Sequence, residues 1–181
     1  MPVMKEIYSV ENINFGRNRV SAIDDMLSHN QGYAAAFTKG SLPMPPGRKL
    51  AIVTCMDARI DTHSAFGLEE GMAHVIRNAG GRIPEAIRSL VISQELLGTE
   101  EVAIIHHVDC GMLTFTDESL RKQLSDKGIE SDHVAFAPFA DLEESVRIDL
   151  RHYDQSPLVR HDIPVRGFVF DVKSGKLSEV S

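Results

Sequence analysis

The chain has two cysteines, and each stands where an apolar run gives way to charge. Cys55 closes "AIVTC", with Asp57 and Arg59 following at alternate positions; Cys110 closes "IIHHVDC", with two residues between it and His107. At the end of a strand, a turn of that length can aim His107 and Cys110 at one point. With Cys55 they supply one imidazole and two thiolates, a set that zinc accepts because soft sulfur and borderline nitrogen suit a tetrahedral d10 ion. Three protein ligands leave a fourth position for water, which separates a catalytic site from a closed structural one. His106 competes for the same role, but as the neighbour of His107 on an extended strand it should point the other way. Asp57 beside Arg59 reads as a carboxylate held by a guanidinium, with a low pKa and a fixed orientation. Next to a metal it could accept the proton of a bound water, or swing in and fill the fourth position itself. Singly, each residue has a plainer reading: a core thiol, a structural histidine, a surface ion pair. Two cysteines at equivalent strand ends, one of them in a His-x-x-Cys turn, favour the metal.

Such residues need strands that stop at a common edge. "KLAIVTC", "HVIRNAGG" and "EEVAIIHH" are continuous apolar runs that suit strands buried on both faces. "PEAIRSLVISQELLG" predicts a helix, with Pro84 in its first turn, Ile87, Leu90, Val91, Gln94 and Leu97 along one side, and Gly98 as its stop. Helices are also expected in "NRVSAIDDMLSHNQGYAAAF", capped by Ser21, in "TDESLRKQLSDKG" and in "DLEESVRIDLRHYDQSP", whereas "KGSLPMPPGRK" reads as loop. "VRGFVFDVKSGKLSEV" reads as a last strand folding back at "KSG" into an edge hairpin. Alternating strands and helices imply an α/β fold: a central, mostly parallel sheet with helices on both faces. In such sheets ligands collect beyond the carboxyl ends of the strands, where both cysteines fall.

At 181 residues the chain is expected to form a single domain, 1–181, with an N-terminal helical arm over about 1–40. A net charge of -7 argues against an electrostatic nucleic-acid binder. No apolar stretch is long enough for a membrane span. The N-terminus lacks the apolar middle of a signal peptide, so the expected setting is cytoplasmic, where thiols stay reduced. "NAGGRIP" is not G-x-G-x-x-G and no Walker loop is present, which leaves a nucleotide-binding module without support.

"CMDAR" and "HHVDCG" resemble the Cys-x-Asp-x-Arg and His-x-x-Cys-Gly signatures of the β-class carbonic anhydrases, and "RNAG" at 77 to 80 is similar to a segment between them. The similarity runs from about residue 45 to 120. The short chain and its "PMPP" lead-in look most like the compact prokaryotic-type branch, which also holds carbonyl sulfide hydrolases. The resemblance implies one zinc ion per chain on Cys55, His107 and Cys110, with Asp57 and Arg59 as a dyad beside the bound water. It implies four parallel strands plus an antiparallel edge strand. It also implies a homodimer, or a dimer-based higher oligomer, with the N-terminal helix over its partner and the pocket at the interface. The activity it implies is attack of metal-bound hydroxide on carbon dioxide, giving bicarbonate reversibly. Hydrolysis of carbonyl sulfide to carbon dioxide and hydrogen sulfide is the alternative. A non-catalytic zinc site closed by Asp57 is a further one, against which Arg59 offers Asp57 a competing partner. The plant-like branch has a substrate-holding glutamine upstream of the first cysteine; "LPMPPGRK" has none. Backbone N–H groups near Gly111 are candidate substrate contacts, since a glycine allows close approach. His63, His74, His106 and His133 are candidates for passing a proton to solvent.

Overall fold

The computed structural model describes residues 21–181. Its strands are β1 (Leu50–Cys55), β2 (Ala73–Asn78), β3 (Glu101–His107), β4 (Val165–Phe170) and β5 (Leu177–Val180). They form one sheet in the order β2-β1-β3-β4-β5. The first four run parallel, and β5 pairs antiparallel with β4. Thr54 is level with Arg77 on one side and Ile105 on the other, so β1 and β3 run out together at the carboxyl edge. That register is what brings the residues after both strands into one neighbourhood.

β1 and β3 are flanked on both sides and covered on both faces, which accounts for their unbroken apolar runs. β2 departs from expectation. It forms an edge of the sheet and shows alternating exposure, with Val75 38% exposed. A short apolar run cannot by itself tell a central strand from an edge one.

The helices are α1 (Ala22–Ala36), α2 (Thr62–Phe66), α3 (Ile83–Glu95), α4 (Asp117–Ser125) and α5 (Leu142–Gln155). The described part of the arm, 21–42, belongs to a compact unit distinct from residues 43–181. There Ser21 accepts a hydrogen bond from the Ile23 N–H and caps α1, none of whose residues is buried. Residues 18–20, the start of that expected helix, lie outside the described residues. The five-residue α2, capped by Asp61, is too short to leave a periodic signature.

α3 and α5 cover one face of the sheet over a core that includes Ala51, Val53, Leu90, Ile104 and Tyr153. Each fully buried aliphatic side chain there contributes about 1.5–3 kcal/mol. α3 starts with Pro84 in its first turn, as expected, but its buried positions are Ile83, Ala86, Leu90, Ser93 and Gln94. Leu97 lies beyond the helix end. α5 lies directly over β4: a Cβ at Gly167 would run into Val146 and Leu150. The opposite face is covered by short pieces: Phe66 of α2, Met112 of a 3₁₀ turn (Gly111–Leu113), and Ile60 and Leu68 from loops. Those pieces form the walls around the two cysteines.

Candidate metal centre

Cys55 ends β1, His107 ends β3, and Cys110 follows a two-residue turn. All three are buried. Their donor atoms lie within 4.8 Å of one another, and the two Sγ atoms are 3.9 Å apart. Two sulfurs on a tetrahedral zinc, each at about 2.3 Å, would stand about 3.8 Å apart. The imidazole is set for the same purpose. Its Nδ1 lies 2.9 Å from the Val108 carbonyl oxygen, which can only accept, so Nδ1 carries the proton. Nε2 is left with its lone pair exposed to the thiols, buried and without a hydrogen-bond partner. A buried acceptor left unmet costs about 1–3 kcal/mol, a penalty a cation would remove. The donor set therefore fits zinc in type, spacing and unmet valence.

The Cys55 thiol is lowered well below its usual range, chiefly by a hydrogen bond from Cys110, against the effect of burial. The backbone N–H groups of Asp57 and Gly80 add to the lowering. Cys110 is correspondingly pushed up by the thiolate it faces. One proton shared between two close sulfurs is what a divalent cation displaces on binding.

Asp57 stands beside this group, with Oδ2 3.8 Å from His107 Nε2. Arg59 holds it by three hydrogen bonds: backbone N to Oδ1 at 2.9 Å, Nε to Oδ1 at 3.0 Å and Nη2 to Oδ2 at 2.7 Å. The guanidinium lowers the carboxyl to about 2. Arg59 is itself gripped from the other strand end, donating from Nη1 to Asp109 Oδ2 at 2.7 Å and from Nη2 to the Asp109 carbonyl at 3.0 Å. Asp109 adopts φ 57°. Arg77, on β2, fastens the loop that carries Asp57, donating to the carbonyls of Cys55 (3.0 Å), Ile60 (3.1 Å) and Asp57 (2.6 Å).

Gly111, the expected substrate contact, is exposed and opens the 3₁₀ turn next to Cys110. A Cβ added there would meet no atom within 4 Å, so no protein neighbour requires a glycine. His63 and His133 are exposed, and His74 Nδ1 lies 2.7 Å from Ser93 Oγ. His106 does not suit a proton relay. It is fully buried, contacting Ser145 and Asp149 of α5. Sequence reasoning passed over Arg77 and Asp109. The first sat inside the quoted "RNAG". Asp109 carried no signal beyond lying next to Cys110.

Comparison with known proteins agrees with this geometry. A family model described as carbonic anhydrase matches residues 50–137. "Beta-carbonic anhydrase 1" of Mycobacterium tuberculosis is 49% identical over 166 residues, covering 90% of this chain and 99% of its own. The crystal structure of carbonic anhydrase from Streptococcus mutans superposes with a TM-score of 0.85 at 43% identity, covering 90% of this chain and 99% of that one. A "carbon disulfide hydrolase" of Acidianus is 31% identical, over 86% of this chain and 87% of its own. The chain belongs to the β-carbonic anhydrase family.

Proposed function

We propose that this chain is a zinc-dependent carbonic anhydrase that interconverts carbon dioxide and bicarbonate, with Cys55, His107 and Cys110 as the metal ligands. The observation that carries this reading is the unmet, buried Nε2 of His107 facing two close sulfurs, with a fixed carboxylate 3.8 Å away. Zinc held there would supply a Lewis acid that brings the pKa of water down toward neutrality.

Asp57 is the hydrogen-bond acceptor beside the metal. Held near 2, it is ionised throughout the neutral range and can only accept a hydrogen bond, which fixes which lone pair of a reacting oxygen faces the substrate. Arg59 acts by orientation. A carboxyl at its ordinary 3.8 would be just as ionised at neutral pH, so the three hydrogen bonds contribute direction rather than charge. They also hold Asp57 back from the fourth ligand position. Buried Ile60, Leu68, Met112 and Phe139 keep the surroundings apolar, as a small linear gas requires. The N–H of Gly111, at the open rim, is a proposed contact for a substrate oxygen.

The site belongs, in our reading, to a dimer or a dimer-based oligomer. α1 exposes Ile23 (65%), Met26 (62%) and Leu27 (57%), apolar surface that a second copy would cover. Among the described residues no helix is long and apolar enough to cross a membrane, and we place the enzyme in the cytoplasm. A second reading, hydrolysis of a carbon–sulfur bond in carbonyl sulfide, draws on the 31%-identical carbon disulfide hydrolase. The metal set would serve both. Zinc-loaded protein assayed by stopped flow for carbon dioxide hydration, and for sulfide release from carbonyl sulfide, separates them. Hydration above the buffer rate is expected. Sulfide release without hydration would favour the second reading, and neither activity at full zinc loading would leave a structural site.

A further inference from the structure

Asp149 lies on α5, on the far side of the sheet from the Cys55–Cys110 pair, and its side chain is fully buried. It meets four groups from three elements. Arg82 Nε stands 2.9 Å from Oδ2, and Arg82 Nη2 donates to Oδ1 at 3.2 Å. The Ile83 N–H donates to Oδ2 at 3.2 Å. His106 Nε2 lies 3.1 Å from Oδ2, and His152 Nδ1 lies 3.1 Å from Oδ1. Burying an ionised carboxylate is costly, and a buried ion pair is commonly no more stabilising than well-packed apolar residues of the same volume. Net stability is therefore a poor account of Asp149. What it does hold in place is two pieces of chain that both lead to the metal centre.

The first is the turn after β2. Arg82 begins α3 without a capping side chain of its own. Asp149 supplies the cap from another helix, accepting the Ile83 N–H while gripping the Arg82 guanidinium. Asn78 closes the same turn from the other end, accepting from the Arg82 N–H at 2.6 Å and donating to the Arg82 carbonyl at 2.8 Å. Between those anchors the Gly80 N–H donates to Cys55 Sγ at 3.3 Å. The second piece is the end of β3. His106, held by Asp149 and by Ser145 Oγ at 2.7 Å, precedes His107 in the strand. Pinning His106 to one face aims His107 at the other.

We propose that Asp149 is a positioning residue for the metal centre, setting from behind the sheet both the N–H that faces Cys55 and the strand end that aims His107. The inference rests on the metal-centre reading above and extends it to a residue that touches neither ligand nor substrate. Partners that orient metal ligands typically change metal affinity about 10- to 100-fold when removed.

The test uses Asp149→Asn, which keeps the shape and removes the charge. Two readouts apply to full-length protein: the zinc dissociation constant, by competition with a chromogenic chelator, and the thiolate-to-cobalt charge-transfer band after cobalt(II) replaces zinc. The variant is expected to bind zinc about tenfold more weakly and to show a shifted cobalt band. Ile163→Ala is the control, since it opens a cavity in the same core from the loop between α5 and β4, outside α5, the turn and the end of β3. It should melt at lower temperature with unchanged zinc affinity and band. Equal weakening in Asp149→Asn and Ile163→Ala would mean general destabilisation and would overturn the proposal, as would an Asp149→Asn variant indistinguishable from the parent. If Asp149→Asn does not fold, His106→Gln and Asn78→Asp cut the two arms separately, and parent-like affinity and spectra in both would overturn it equally. A parent protein with no thiolate band at all would refute the ligand set itself, which is a different failure.

Discussion

His106 and His107 are neighbours on one strand, fully buried alike, and they have opposite surroundings. His106 meets a partner at each nitrogen, Ser145 and Asp149. His107 meets one at Nδ1 and none at Nε2. One imidazole is satisfied at both nitrogens and the other at only one. The difference marks the opening that the proposed metal would fill.

The largest expected effect removes that capacity. Cys55→Ser or His107→Ala should abolish zinc binding, measured by elemental analysis after zinc saturation, and reduce hydration to the buffer rate. His106→Ala should do the reverse, still taking up zinc at saturation but losing about 3 kcal/mol of stability by leaving Asp149 short of a partner, read by denaturant unfolding. If the two histidine variants behaved alike, the contrast between the faces would be without meaning. Next in size is Asp57→Ala, which should keep zinc and lose about 10²- to 10⁴-fold in turnover. Smaller again is Arg59→Ala, with a loss of about 10- to 100-fold at neutral pH through misorientation alone.

The smallest effect is on stability against pH. Asp57 has a depressed value in the fold, so its stabilisation is complete above the ordinary 3.8 and is lost as pH falls toward about 2. Melting curves of the parent should show that loss between those values. Arg59→Ala, whose Asp57 titrates near its ordinary value, should lack this component.

Most of the centre was legible because its residue types are scarce. With two cysteines in the chain and each closing an apolar run, the proposed ligand set followed from position and chemistry. The sheet was legible for a related reason: β1 and β3, covered on both faces, had to be apolar throughout. β2 was harder, because an edge strand with one face packed can carry the same short run. The supports were the least visible. Arg77 works through backbone carbonyls, which have no identity in a sequence, and Asp149 is separated by 67 residues from the Arg82 it pairs with. Nothing in the spacing of charged residues announces a pairing that only the crossing of α5 over the sheet creates.

Gly81 and Gly111 give the centre two unlike walls. A Cβ at Gly81 would stand 2.9 Å from the Cys55 nitrogen and the Thr54 carbonyl carbon, while at Gly111 it would reach into open space. The first wall admits no redesign: any bulkier residue there would lever β1 out of line. A protein engineer wishing to admit a larger reactant, or to tailor the rim for an inhibitor, should therefore leave 79–82 untouched and diversify the chain from Gly111 onward.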